Sequence, residues 1–215
     1  MNSPHTPSIS MHITLTNTGK RFNREWIFRH FNYEFFGDKS YAITGPNGSG
    51  KSTLLLVIGG AIIHNEGSIL YDMNEERLGQ DAFYKQIAIA APYLEMIEEM
   101  TATEMLEFHA QFKPFVPGHP ISGVLEFAGL KNAAHKQIRY FSSGMKQRLK
   151  LVQAFFSNTP VLMLDEPTTN LDEEGIGLYQ LLIRDHTRDR LVIISSNDKK
   201  EYESCDKVIE MSVFK

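Results

Sequence analysis

Nine residues at 45–53, GPNGSGKST, carry the densest chemistry in the chain. They fit the spacing G-x-x-x-x-G-K-[ST] through Gly45, Gly50, Lys51 and Ser52. Glycines let the backbone turn tightly enough for consecutive N–H groups to face one concavity, which suits an anion. Lys51 adds a full positive charge, and Ser52 offers a hydroxyl to a divalent cation. Pro46, Asn47, Gly48, Ser49 and Thr53 complete the loop. Such a cradle serves the phosphates of a nucleoside triphosphate with Mg2+. It does not by itself separate GTPases, kinases, motors and transporters. The triplet NGS at 47–49 also matches a glycosylation sequon, but the cradle gives it a better use.

Three further stretches could act on the same ligand. In PVLMLDEPTTNLD, 160–172, two acids end an apolar run. Asp165 can hold Mg2+ through its water shell, and Glu166 can polarise an attacking water. The plainer alternative is a pair of solvated acids opening a loop. In YFSSGMKQRLKLVQAFFSN, 140–158, Ser142, Ser143 and Gly144 begin a helix. Small hydroxyls and a glycine there make either a second anion site or only a helix cap. In VIISSND, 192–198, the amide Asn197 follows a strand.

Elements of a particular kind must hold these groups. SYAIT (40–44), VLML (161–164) and LVIISS (191–196) read as short strands, the last two apolar on both faces. Strands of that kind are buried in parallel sheets, and ligands bind beyond their carboxyl ends. LLLVIGGAII, 54–63, reads as the helix after the cradle. From Met145 a helix is expected, with Met145, Leu149, Val152 and Phe156 on one face and Lys146, Gln147 and Arg148 polar. The pattern is α/β, a mostly parallel sheet with flanking helices.

Composition narrows the function classes. The chain has 215 residues, 42% hydrophobic, enough for one domain with a full core. A net charge of −4 is not the basic footprint of a nucleic-acid binder. A single cysteine, Cys205, permits no disulfide framework and fits a reducing compartment. Eight scattered histidines argue against a metal site built on His or Cys. MNSPHTPSIS, 1–10, lacks the pattern of a secretory leader. The longest apolar run, 54–63, is half the roughly 20 residues of a membrane span.

GPNGSGKST, FSSGMKQR and VLMLDEPTTNLD, in this order, resemble the ATP-binding cassette (ABC) ATPases over about 13–211. FSSGM looks like a degenerate LSGGQ signature, Ser142 and Gly144 matching, Ser143 and Met145 departing. TNLD resembles the D-loop, with Asp172 as its acid. Phe22 stands where the family has an aromatic that stacks on adenine, or else it is core. The resemblance implies a P-loop core of about 1–93 and 141–215, with N-terminal antiparallel strands. A small helical subdomain would be inserted at about 94–140. Within it, TATEMLEFHAQF (101–112) spaces Met105, Phe108 and Phe112 helically, with Thr103 as a possible cap, and VLEFAGL (124–130) reads as a second helix ending near Gly129. Apolar residues there would dock a membrane partner, or form a small satellite core.

The resemblance further implies ATP and Mg2+ as ligands, and a head-to-tail dimer, of two identical chains in the simplest case. Each P-loop would face the partner's Ser142, Ser143 and Gly144. A polytopic membrane subunit would be driven by the dimer, placing the chain in the cytoplasm, peripheral to the inner membrane. The small size is similar to that of compact bacterial exporter ATPases. Two positions depart from the family. Tyr93 replaces a glutamine that senses the metal shell and γ-phosphate, or simply packs at a hinge. Asn197 replaces a histidine that reaches the γ-phosphate; an amide donates but carries no positive charge. Hydrolysis is therefore expected to survive on Glu166, Lys51 and Mg2+, and to be slow.

Overall fold

The computed structural model describes residues 10–215; the leader expectation rests almost wholly on residues 1–9, which lie outside it. Alternating apolar residues build the first layer. In β1, Met11–Phe22, the inward residues Met11, Ile13 and Leu15 are buried, and in β2, Glu25–Phe36, so are Phe28, Phe31 and Phe35. The two strands pair antiparallel across a turn in which Asn23 takes a left-handed conformation. β4, Glu66–Met73, and β5, Glu76–Leu78, extend this layer in the order β2-β1-β4-β5. Gly67 is needed where β4 meets the irregular part of β1. Its φ is +78°, and a Cβ would come within 2.3 Å of the Thr16 and Asn17 carbonyl oxygens.

The second sheet is wholly parallel. It comprises β3 (Ser40–Thr44), β6 (Ile87–Ala90), β7 (Val161–Asp165), β8 (Leu191–Ser195) and β9 (Lys207–Glu210), in the order β6-β7-β8-β3-β9. Every residue of β7 and β8 is buried, because both faces of the sheet are covered. Val161, Met163, Leu191 and Ile193 point toward the antiparallel layer and α1, Lys51–Ile58. Their alternates Leu162, Leu164, Val192 and Ile194 point the other way. They pack against α3 (Ala102–Phe112), α4 (Ile121–Phe127), α5 (Ser143–Phe156) and α6 (Glu173–His186). Two short helices, α2 (Gln80–Tyr84) and α7 (Lys199–Tyr202), complete the order. The result is the expected α/β architecture with antiparallel N-terminal strands.

Several local details differ from or sharpen the sequence reading. The cap of α3 is Thr101, not Thr103. Thr101 accepts from the Glu104 N–H while Glu104 reaches back, a T-x-x-E capping box. Thr103 instead donates to the Ala134 carbonyl. The buried stripe of α3 is Ala102 and Leu106 with Met105 partly covered, so Phe108 and Phe112 stand out into solvent, ring to ring at 5.2 Å. Gln147, read as polar surface, is 3% exposed inside α5. α1 stops at Ile58, where Gly59 and Gly60 end it, so 61–63 are not helical.

Candidate nucleotide site

The order β3-β8-β7-β6 lays the expected residues side by side at one edge. The chain leaves β3 into the 45–50 loop, β8 into Asn197, β7 into Glu166, and β6 toward Tyr93. Backbone bonds lock these exits together: Ser196 N donates to Ile43 O at 3.1 Å, and Glu166 N to Ser195 O at 2.8 Å. Asn47, Gly48, Gly50, Lys51, Ser52, Thr53 and Glu166 line one cavity of about 340 Å³ with Ile27 of β2.

The loop is shaped by conformations that glycine alone adopts cheaply. Gly45, Gly48 and Gly50 all have φ between +76° and +137°. At Gly50 a Cβ would also lie 2.6 Å from Ile27 Cγ2. Lys51, 5% exposed, folds back so that its Nζ donates to Gly45 O at 2.8 Å and Pro46 O at 3.3 Å. The loop thus holds its ammonium group beside the mouth of the α1 dipole. Ser49, buried with an unpartnered hydroxyl, closes the turn by donating its N–H to Pro46 O at 3.0 Å.

Asp165 is 2% exposed, and its Oδ1 has no hydrogen-bond partner. A buried carboxylate oxygen without a donor is costly unless a ligand completes it. Ser52 lines the cavity together with Glu166, the residue after Asp165, and a hydroxyl with a carboxylate oxygen is a donor set that suits a hard, oxygen-seeking divalent cation. Glu166 sits at φ +42°, an unusual value for a side-chain-bearing residue, held by the bond to Ser195 O and by Thr169 N donating to its own carbonyl. Tyr93 is 43% exposed, yet its hydroxyl is pushed well above its ordinary pKa, by burial first and then by the charge of Asp165. It is a neutral hydrogen-bond donor facing that acid's field.

The signature segment is tied to these loops. Ser142 caps α5 by accepting from Met145 N at 3.2 Å, Ser143 opens the helix, and Gly144 leaves room for the Asn170 carbonyl. Gln147 donates to Pro167 O at 2.8 Å, and Lys150 to Pro92 O at 2.9 Å. Asp172 caps α6 through Gly175 N and meets Arg148; those two contacts hold its carboxyl below the usual range. Phe22 stands exposed beside the turn of the β1–β2 hairpin, paired with Glu25, and does not line the 340 Å³ cavity.

The ABC transporter family model matches residues 28–169, about two thirds of the chain. This chain belongs to that family. It is an ATP-binding ATPase subunit, and its relatives span it almost end to end. The uncharacterized ABC transporter ATP-binding protein YybJ of Bacillus subtilis is 31% identical over 203 residues, 93% of this chain and 92% of YybJ. A Staphylococcus aureus protein named for hemin import, HrtA, is 26% identical, covering 91% of this chain and 92% of its own. Among solved structures, the cassette MJ0796, a dimer in a post-hydrolysis state bound to ADP and Pi, shares the fold. Its TM-score is 0.72 at 23% identity, over 92% of this chain and 93% of that one.

Some features of this ABC ATPase site are not legible in the sequence. Asn197 and Asn47, both expected here, are paired: Asn197 Nδ2 donates to Asn47 Oδ1 at 2.8 Å. Glu201 of α7 is buried and accepts from Thr168 N at 2.7 Å and from the Thr168 hydroxyl. Ile27 forms a wall of the cavity. Nothing in the local sequence marks these pairings, which arise only when β8 inserts between β3 and β7. Among the described residues no helix is long and apolar enough to cross a membrane.

Proposed function

We propose that this chain binds ATP with Mg2+ at the shared edge of β3, β7 and β8 and hydrolyses it to drive a membrane-spanning partner. The observation that carries the reading is the convergence of the P-loop and Glu166 on one cavity, preceded in β7 by Asp165 with its Oδ1 unpartnered. The backbone N–H groups of 45–53 and Lys51 hold the phosphates. Ser52 and Asp165 would hold Mg2+, which when bound neutralises phosphate charge. Glu166 takes a proton from the attacking water; a new O–P bond forms at the terminal phosphate as the bond to the bridging oxygen breaks, and ADP leaves with that electron pair. Asn197 and Tyr93 donate hydrogen bonds toward the terminal phosphate, and Phe22 supports the adenine.

In this reading two copies meet head to tail, so that Ser142, Ser143, Gly144 and Asp172 of one complete the phosphate shell of the other. The helical segment at 94–140 is the subdomain that touches a polytopic membrane subunit. The exposed pair Phe108 and Phe112 offers it an apolar contact. The chain then works at the cytoplasmic face of the inner membrane. A second reading, a slow ATP-driven switch on the same partner, is favoured by Tyr93 and Asn197, which stand where the family has a glutamine and a histidine.

Single-turnover hydrolysis tests the first claim: Glu166→Gln should slow it by about 10²-fold or more. An unchanged rate would remove Glu166 from the chemistry. The same variant should dimerise when ATP is added; a protein that stays monomeric defeats the head-to-tail arrangement. Co-purification with a polytopic membrane protein tests the partner, and turnover slower than once per minute in that complex favours the switch.

A further inference from the structure

The backbone on both sides of Asn197 is pinned. Ser196 N donates to Ile43 O at 3.1 Å, Asp198 N to Ser196 Oγ at 2.9 Å, and Lys200 N to Asp198 Oδ1 at 2.9 Å. Its side chain is exposed and has two free torsions, with one hydrogen bond among the described residues to stop it turning: Nδ2 to Asn47 Oδ1 at 2.8 Å. Asn47 belongs to the P-loop and lines the cavity. A primary amide carries two N–H groups on one nitrogen, so Asn47 consumes one and leaves the other available.

We infer that Asn47 is a positioning residue: its side-chain carbonyl holds the Asn197 amide in register with the phosphate cradle, so that the remaining N–H is presented to the terminal phosphate. The inference rests on the ATPase reading above and deepens it. It explains how a short, neutral side chain serves where the family has a longer imidazole. The amide lacks charge and reach, but it is fixed to the loop that holds the phosphates, and a fixed dipole loses nothing to reorientation during reaction. Asn47 acts through Asn197 and touches no reacting atom in this role.

The consequence is non-additivity. In single-turnover hydrolysis, Asn47→Ala should slow wild-type protein about 10-fold, with the ATP KM changed less than about twofold. In the Asn197→Ala background, itself about 10²-fold slow, Asn47→Ala should cost less than about twofold more. Factors that multiply in the double variant, or a loss confined to KM, overturn the inference. A second readout needs no hydrolysis. In nucleotide-free protein labelled with 15N-asparagine, the two Asn197 side-chain protons should be widely separated in shift, and Asn47→Ala should bring them together. An unchanged separation also overturns the inference. If that separation collapses as expected while wild type and Glu166→Gln hydrolyse ATP equally poorly, the clasp stands and it is the ATPase role of Glu166 that fails.

Discussion

Replacing Glu201 should disturb a reaction that Glu201 does not touch. This carboxylate, 4% exposed on α7, accepts from Thr168 N at 2.7 Å and from the Thr168 hydroxyl. Thr168 lies two residues beyond Glu166, and α7 begins two residues beyond Asn197. The bond pair therefore ties the loop carrying Glu166 to the one carrying Asn197. Each hydrogen bond to a charged group is worth about 1.5–3 kcal/mol. Because Thr168 is only partly buried and water can replace some of this, Glu201→Ala should cost about 3 kcal/mol in urea unfolding. Glu201→Gln keeps an acceptor oxygen and loses the charge, so about 1 kcal/mol is expected. Glu166 holds a strained backbone that its surroundings must enforce, and a displacement of about 1 Å can cost on the order of 10²-fold in rate. Single-turnover hydrolysis by Glu201→Ala, measured well below its unfolding midpoint, should fall about 10- to 100-fold with ATP KM nearly constant. Wild-type hydrolysis alongside a 3 kcal/mol stability loss would show the tether to be merely structural. A loss of KM alone would place the effect on binding instead.

Other perturbations have equally definite outcomes. Burial, then the Lys113 ammonium, lowers the His109 imidazole to about 4 from its ordinary 6.5. Between those values the unfolded chain binds a proton that the fold refuses. Stability should therefore fall by up to about 3 kcal/mol as pH drops from 6.5 to about 4. His109→Gln should remove that part of the slope, and a wild-type-minus-variant difference independent of pH would refute it. Burial raises the Cys205 thiol to about 11 from 9, so alkylation at pH 8 should run about 10²-fold slower than for an exposed cysteine. Fast labelling without unfolding would contradict that burial. Asn197→His restores a longer, chargeable donor and should raise turnover, by at most about 10²-fold. An unchanged rate would mean that the Asn47-held amide already supplies the whole effect.

Much of the site could be read from the chain because it consists of strand ends followed by chemically loud residues. SYAIT, VLML and LVIIS are strands where their apolar runs place them, and the acids, glycines and amide follow at once. The parts that could not be read depend on sheet order. That β8 separates β3 from β7 follows from tertiary packing, and only this brings Asn197 against Asn47 and Glu201 against Thr168. Gln147 looked like surface because its neighbours Lys146 and Arg148 are polar; it is drawn inward to satisfy the Pro167 carbonyl. The α3 cap is legible in T-x-x-E at 101–104, whereas the apolar spacing of Phe108 and Phe112 does not mark where the helix begins. That spacing marks an outer face here.

The placement of β8 also bears on how the chain is made. Its five residues arrive late in synthesis, yet they fill the gap between β3 and β7, which emerge some 30 to 150 residues sooner. Until Leu191–Ser195 leave the ribosome, the edges of β3 and β7 that face β8 have no neighbour to share hydrogen bonds with. A nascent chain halted before 191 should therefore engage chaperones and resist compaction. Emergence of β8 and then β9 should trigger closure of the sheet and creation of the nucleotide pocket in a single event.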